Sequence, residues 1–237
     1  MDIEKAFDRI RLKHIINALK KHCVPNSLIN LIQNIYTNNN AKIKTEGNLS
    51  ESIPINQGIR QGDSLSPLLF NIIMNEIVDE VTKRKGSTIG DEDISCLCYA
   101  DDAALVAEDE DALQRLLYHF SCAARKFGLQ LSTKKTKTLT IAKEPLRCKL
   151  QLCDKIIERV MSFTYLGIEI TTHQDLGAEV KLQTIKASRI SGCLNSTIWS
   201  KKFLRTEAKV RIYKTMVRPI LTYAAETRAD TSKTSQR

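Results

Sequence analysis

Apolar residues return every three or four positions in several separate stretches of this chain. Such spacing lines one face of an α-helix with apolar side chains. It predicts helices over residues 9–22, 25–37, 66–84 and 111–127. Ser66 and Pro67 suit the N-cap and the first position of the third helix. Gly128 suits the end of the fourth.

Shorter stretches of extended character lie between these helices. Residues 41–46 and 49–55 flank Gly47-Asn48, a pair that favours a β-hairpin turn. The polar residues 83–93 predict a loop. Further short strands are predicted at residues 129–131 and 139–141, around a basic loop at 133–137, and two or three more within residues 147–170.

Residues 96–106 carry two adjacent carboxylates, Asp101 and Asp102, between two apolar runs. This pattern predicts a buried β-hairpin with the acidic pair at its turn. Neighbouring carboxylates repel each other and are costly to bury unless a cation neutralises them. The pair therefore has two interpretations, a solvated turn, where Asp is common, or a site for a hard cation such as Mg²⁺.

A glycine-bearing loop over residues 56–65 leads directly into the predicted helix that starts at Ser66. Free N–H groups and the helix dipole favour an anionic ligand at such a junction, although an ordinary capped helix has the same sequence pattern. After Thr171 the pattern becomes helical and basic through residue 226. Residues 227–237 lack apolar positions and predict a disordered tail.

The composition narrows the classes of function. The 237 residues carry a formal net charge of +9, which favours a polyanionic partner such as nucleic acid. No apolar stretch is long enough to span a membrane, and no signal peptide is recognisable. The seven cysteines are odd in number and irregularly spaced, which indicates a reducing compartment. The sequence therefore predicts an intracellular protein of the nucleus or cytoplasm.

Several motifs, in order, resemble those of reverse transcriptases. They are Asp2-Ile3-Glu4-Lys5-Ala6-Phe7-Asp8, residues 58–70 from Gly58-Ile59-Arg60-Gln61-Gly62 onward, and Tyr99-Ala100-Asp101-Asp102. Three later stretches resemble the family's next motif, its primer grip and its thumb, at residues 127–137, 163–167 and 208–226. The whole is most similar to the reverse transcriptase domain of non-LTR (LINE-type, jockey-like) retrotransposons.

The resemblance implies an α+β fold. Its palm, an antiparallel sheet with helices on one face, would occupy residues 1–170, and a helical thumb-like subdomain residues 171–226. The family's fingers would precede Asp2, so we expect them to be largely missing, the chain to be N-terminally truncated and Asp2 to be held loosely.

The implied activity is RNA-directed DNA polymerisation, in which dNTPs join a primer 3′-hydroxyl by two-metal phosphoryl transfer. Asp2 and Asp101 would be the principal ligands of two Mg²⁺ ions, with Mn²⁺ as an alternative ion and Asp102 in support. Lys135 would protonate the leaving pyrophosphate, or else be a solvated or phosphate-facing lysine. The family usually has Asn in place of Ser132, an exchange that predicts a looser loop.

The remaining site residues would handle the substrates. Phe7 would pack under the sugar and reject a 2′-hydroxyl, or simply fill the core. Gln61 and Gly62 would contact the incoming nucleotide and the template. The primer grip, with Tyr165, Leu166 and Gly167, would hold the primer end.

The implied partners are an RNA template, a DNA primer and dNTP, with no membrane, and the oligomeric state is left open. The alternative hypothesis is a catalytically inactive retroelement remnant that at most binds nucleic acid.

Overall fold

The computed structural model describes residues 1–37, 39–142, 148–172 and 176–227. The chain divides into two compact units. The first comprises Met1–Thr138 with Arg147–Arg159, and the second comprises Leu139–Leu146 with Val160–Arg237. Both units contain helices and short paired strands, so the predicted α+β class is confirmed.

The helices of the first unit are α1 (Ala6–Arg9), α2 (Leu12–Lys21), α3 (Asn26–Tyr36), α4 (Ser66–Thr82) and α5 (Glu110–Lys126). All four predicted helices of this region are present. The first differs from its predicted span of residues 9–22, because Ile10 is extended, with ψ 129°, and separates α1 from α2. Ile10 is fully buried, so the break seats an apolar side chain in the core.

The ends of α5 follow the predicted chemistry. Asp109 is the N-cap, and its Oδ1 accepts a hydrogen bond from Ala112 N at 2.6 Å. Gly128 follows the helix with φ +78°, a backbone conformation that favours glycine at a helix end. At α4, however, the predicted N-cap is wrong. Ser66 is already helical, and its buried Oγ pairs with the Tyr36 hydroxyl at 3.1 Å.

The strands of the first unit are short and pair two at a time. They are β1 (Asn40–Ala41), β2 (Lys44–Thr45), β3 (Asn48–Leu49), β4 (Ile53–Pro54), β5 (Ser87–Ile89), β6 (Glu92–Ile94), β7 (Cys96–Tyr99), β8 (Asp102–Leu105), β9 (Lys137–Thr138), β10 (Gln151–Leu152), β11 (Lys155–Ile156) and β12 (Glu158–Arg159). The pairs β1–β4, β2–β3, β5–β6, β7–β8 and β10–β11 are antiparallel, and β9–β12 is parallel.

Four predictions for the strands and loops of this unit need correction. The β2–β3 turn is Glu46-Gly47 rather than Gly47-Asn48, because Thr45 pairs with Asn48. Residues 83–93 are not a simple loop, since β5 and most of β6 form a hairpin there around Gly90-Asp91. Residues 139–141 form no strand, and Leu131 of the predicted strand 129–131 makes only an isolated bridge to Ile3.

The core of the first unit is built around α4, which packs against α2 and α5. Phe70, Ile73 and Ile77 of α4 and Phe120 of α5 are fully buried. The segment 148–152 lies along α5, where Gln114 and Gln151 exchange hydrogen bonds of 3.0 and 2.8 Å. This core supports β7 and β8, whose Cys96, Ala103 and Leu105 pack on it.

The second unit begins with an antiparallel hairpin, β13 (Ser162–Tyr165) and β14 (Ile168–Thr171). Helices α6 (Leu176–Cys193), α7 (Thr206–Ile212) and α8 (Arg218–Leu221) follow, with π-helical segments at Asn195–Trp199 and Tyr213–Val217 and a 3₁₀ turn at Ala225–Thr227. The helical character predicted for residues 176–226 is confirmed. The predicted tail falls, from residue 228 onward, outside the described residues.

None of the helices in the described ranges is long and apolar enough to cross a membrane. All seven cysteines are free thiols.

Candidate active site

The acidic pair lies at the tip of the β7–β8 hairpin, as predicted, but the hairpin is not buried as predicted, because Leu97 is 50% and Tyr99 67% exposed. Tyr99 pairs with Asp102, so Ala100 and Asp101 form the two-residue turn. Ala100 adopts a left-handed conformation with φ 52°. Asp101 is half-buried in the turn, and Asp102 is an exposed residue at the start of β8.

Asp2 is held against this hairpin by its backbone. It forms an antiparallel bridge with Asp102, and its carbonyl oxygen accepts a hydrogen bond from Ser132 N at 2.9 Å. The neighbouring Met1 carbonyl accepts from Ala103 N at 3.2 Å. Bonding on both sides places Asp2 between β8 and the 130–132 segment. The expectation that Asp2 is loosely held is therefore wrong for its backbone.

The three carboxylates meet part of the requirement for a divalent metal site. Residues opposite each other in an antiparallel bridge project to the same face, which makes Asp2 and Asp102 neighbours, and Asp101 adjoins Asp102 in sequence. Carboxylate oxygens are the donors that Mg²⁺ prefers. The donor chemistry therefore fits the ion. In the part of the chain that the structure describes, however, no three acidic, His or Cys side chains are gathered closely enough to hold one metal.

Lys135 reaches the same place from another segment. Its Nζ lies 3.4 Å from Asp2 Oδ1, although the side chain remains 71% exposed. The loop that carries Lys135 is fastened by Ser132, whose Oγ accepts from Lys135 N at 3.4 Å and whose carbonyl accepts from Thr136 N at 2.9 Å. Ser132 is buried, so it anchors the loop that the sequence predicted to be loose.

The glycine-bearing loop packs on the segment that follows Asp2. Gly58 N donates to Ile10 O, and Ile59 N donates to Phe7 O, both at 2.8 Å. A Cβ on Gly58 would lie 3.1 Å from the Asp8 backbone, and φ is +94°, so glycine is required here. The loop and the Asp2 motif thus share a direct backbone contact.

The predicted nucleotide-binding side chains lie in that loop and beside it. Gln61 Nε2 donates to Asp8 Oδ1 at 3.2 Å. Gly62 has φ +86° and open space around its Cα. The Phe7 ring stacks on Phe70, with centroids 4.7 Å apart and planes 11° from parallel. Phe7 therefore has a packing role, while its partial exposure leaves the proposed sugar contact available.

Arg60 is a residue that the sequence reasoning missed. Its Nη2 donates to Ile35 O at 2.8 Å and to Asn39 Oδ1 at 2.6 Å, and its guanidinium lies 5.7 Å from the centre of the Tyr36 ring. These contacts fasten the glycine-bearing loop to the end of α3. Its one sequence signal was the position of a cation directly before the predicted site residue Gln61.

Two thiols lie on β7, just before the acidic turn. Cys96 Sγ and Cys98 Sγ are 3.4 Å apart. The hydrogen bond between the two thiols raises the pKa of Cys96 and lowers the pKa of Cys98. Any thiolate that forms at Cys98 adds negative charge near the carboxylate pair.

The residues predicted to hold the primer are in the second unit. Tyr165 ends β13 and pairs with Ile168, so Leu166 and Gly167 form the turn of the β13–β14 hairpin. Both turn residues have positive φ, 48° and 83°, which corresponds to a type I′ turn.

The chain is similar in sequence to reverse transcriptases. A family model described as reverse transcriptase (RNA-dependent DNA polymerase) matches residues 1–170. A Pol polyprotein from the type-1 retrotransposable element R2 of Nasonia vitripennis is 31% identical over 171 residues, which cover 72% of this chain and 16% of the relative.

Two further relatives cover almost the whole chain. An R2 Pol polyprotein of Popillia japonica is 27% identical, covering 99% of this chain and 33% of the relative. An RNA-directed DNA polymerase from the mobile element jockey of Drosophila melanogaster is 23% identical, covering 95% of this chain and 25% of the relative. The chain thus spans a third or less of the length of these relatives.

Proposed function

The chain belongs to the reverse transcriptase family, of the kind found in non-LTR retrotransposons, and we propose that it extends a DNA primer along an RNA template. By family it is a nucleotidyltransferase. The observation that carries the proposal is the convergence of three motif segments. Asp2 bridges to Asp102 next to Asp101, and Lys135 ion-pairs with Asp2.

We assign Asp2 and Asp101, with support from Asp102, to the binding of two divalent ions, Mg²⁺ or alternatively Mn²⁺. When bound, such ions lower the pKa of a primer 3′-hydroxyl and neutralise charge on the leaving pyrophosphate. The backbone bonds around Asp2 keep its carboxylate beside β8 before any substrate arrives. This preorganisation is what a phosphoryl-transfer site needs.

We assign Lys135 to the leaving group. Its side chain is exposed, and its ammonium contacts Asp2 through an ion pair of 3.4 Å. Exposed pairs of this kind contribute little stability, so the ammonium can leave Asp2 at small cost. A lysine ammonium in this place can donate a proton to the departing pyrophosphate.

We assign Phe7, Gln61 and Gly62 to the nucleotide and template. Gly62 offers open backbone at positive φ, where a ligand can approach closely. Gln61 has an amide that already hydrogen-bonds to Asp8 and can exchange that partner for a ligand. The exposed part of Phe7, whose ring is fixed against Phe70, would press on the sugar.

We further propose that residues 1–170 form the palm and that 171–226 form the thumb. The second unit supplies an exposed aromatic ring among cations, because Phe203 is 80% exposed and is flanked in sequence by Lys201, Lys202 and Arg205. Aromatic rings beside basic residues bind single-stranded nucleic acid by stacking and charge.

Primer extension tests the polymerase proposal. The purified chain is given an RNA template, a labelled DNA primer, dNTPs and Mg²⁺, in parallel with Asp101→Asn. We expect extension by the wild-type chain and none by the variant. Extension that is equal in both proteins would show that the activity does not use this site and would overturn the assignment.

One observation favours the second candidate, a chain that binds nucleic acid without polymerising. Across the described ranges, the three carboxylates are not gathered into a metal-binding cluster. If this candidate is correct, the chain retains labelled template–primer in a binding assay at low salt while neither protein extends the primer.

A further inference from the structure

We propose that Tyr223 is a positioning residue that holds the turn of the β13–β14 hairpin and, through it, the primer end. The hairpin contact stands on the structure alone, and the effect on the primer rests on the proposed function. Tyr223 lies beyond the residues matched by the family model, which end at 170. The sequence reasoning assigned it no role of its own.

The turn that Tyr223 contacts has an unfavourable residue for its conformation. A type I′ turn needs positive φ at both central positions and favours Asn, Asp or Gly there. Leu166 nevertheless adopts φ 48° at the first position. A leucine side chain in the left-handed region is strained, and such a conformation persists only where surrounding contacts enforce it.

Tyr223 supplies contacts to both residues of this turn. Its hydroxyl donates to the Leu166 carbonyl oxygen at 2.6 Å. Its ring covers Gly167 so closely that a Cβ built there would lie 3.2 Å from Tyr223 Cε1. Gly167 thus leaves room for the ring as well as accepting φ +83°. The contact joins the strained turn to the end of the helical part of the same unit.

The other end of the contact is also fixed. Tyr223 follows α8, which packs on α6. Thr222 Oγ1 donates to Arg218 O at 3.1 Å, and Ala225 N donates to Thr222 O at 3.1 Å. Ala224 is buried in a left-handed conformation with φ 57°, which directs the chain back after the helix. The backbone on both sides of Tyr223 is therefore held in place by hydrogen bonds and packing.

The contacts at the two ends of the hairpin come from different residues. All eight residues of β13 and β14 are described, and none of them is buried. The open end is closed by Thr172, which donates to Met161 O through N at 2.9 Å and Oγ1 at 3.0 Å. Tyr223 performs the corresponding task at the turn, which includes two of the residues assigned to the primer.

Hydrogen exchange tests the contact without any assumption about activity. In the full chain, Tyr223→Phe removes the hydroxyl and keeps the ring. We expect exchange in peptides covering 162–171 to accelerate roughly two- to tenfold, as the loss of one neutral hydrogen bond predicts. Peptides from α5 should be unchanged. Tyr213→Phe, a change to another exposed tyrosine of this unit, is the matched control.

Steady-state primer extension tests the positioning role. For Tyr223→Phe we expect the KM for template–primer to rise roughly two- to tenfold with the KM for dNTP unchanged, on the same energetic reasoning. Tyr223→Leu, which also removes the ring, should raise it further. A partly unfolded preparation would instead lower kcat and leave both KM values unchanged. Comparing the change in the KM for template–primer with the change in kcat therefore distinguishes positioning from a general loss of folded protein.

Each outcome decides one part of the proposal. Unchanged exchange at 162–171 in Tyr223→Phe would overturn the contact, whatever the activity. Accelerated exchange with an unchanged KM for template–primer would overturn the positioning role. A wild-type chain that extends no primer would overturn the proposed function instead, and the exchange result would still decide whether Tyr223 holds the turn.

Discussion

The two hairpins assigned to function, β7–β8 and β13–β14, have the same strand and turn lengths but are held in place by different contacts. Each pairs four residues with four across a two-residue turn. The first is fixed from beneath, because Ala103 is fully buried and the bridge from Asp2 extends its pairing. The second has no buried residue in either strand, and the Tyr223 hydroxyl contacts its turn.

This difference shows two ways to place a turn. Core packing is stiff and positions side chains for chemistry within a small tolerance. A contact at the tip of an exposed hairpin fixes the turn without burying the strands. Changes to the first hairpin should therefore act on catalysis or folding, and changes to the second should act on local stability.

The largest expected effect is on the chemistry of the first hairpin. Asp101→Asn should lower kcat by about a thousandfold or more, because metal ligation supplies several kcal/mol of transition-state stabilisation. Single-turnover primer extension measures the change. Asp91→Asn is a matched control, since Asp91 occupies the same second position in the two-residue turn of β5–β6. Comparable losses in both variants would sink the assignment of Asp101.

Lys135 offers a test of the charge beside Asp2. Lys135→Met should slow single-nucleotide addition about a hundredfold, the lower end of what a general acid contributes. The neighbouring Lys134→Met removes one positive charge from the same loop, and it should retain activity, since Lys134 is exposed and is not the lysine that ion-pairs with Asp2. Equal rates in the two variants would argue for a merely solvated Lys135.

The sequence predicted those features that are determined by residues close together in the chain. Asp101 and Asp102 between apolar runs were enough to predict a hairpin turn, and helical periods gave α2 to α5. The β5–β6 hairpin was missed because its residues are polar and exposed, although Gly90-Asp91 is a favourable turn pair.

Contacts between distant residues could not be predicted in the same way. The bridge from Asp2 to Asp102 spans 100 positions, and the Tyr223–Leu166 bond spans 57. Each depends on register and on the packing of several elements, which no local pattern encodes. The resemblance predicted a set of site residues, whereas the contacts of Arg60 and Tyr223 with the segments that carry them emerged only from the structure.

A change in side-chain volume tests whether the core supports the first hairpin. Ala103→Leu inserts three carbons beneath β8 and should destabilise the first unit by about 1–3 kcal/mol through overpacking. Ala104→Leu is the matched control, because Ala104 is the next residue, on the opposite and partly exposed face. Urea unfolding followed by circular dichroism measures both. Equal stability of the two variants would contradict the claim that the core positions this hairpin.

The smallest expected effect is a gain in stability at the second hairpin. Leu166→Asn should stabilise the second unit by about 0.5–1 kcal/mol, because Asn tolerates the left-handed conformation that strains Leu. The bond from Tyr223 goes to the backbone carbonyl of residue 166, so it survives the change. The single tryptophan, Trp199, lies in this unit, and its fluorescence during urea unfolding reports the gain.

The control variant is Glu46→Asn, which also places Asn at the first position of a two-residue turn, that of β2–β3, where φ is 42°. It should leave the unfolding transition reported by Trp199 unaltered. A loss of stability in Leu166→Asn would mean that the leucine side chain, rather than Tyr223, holds the turn.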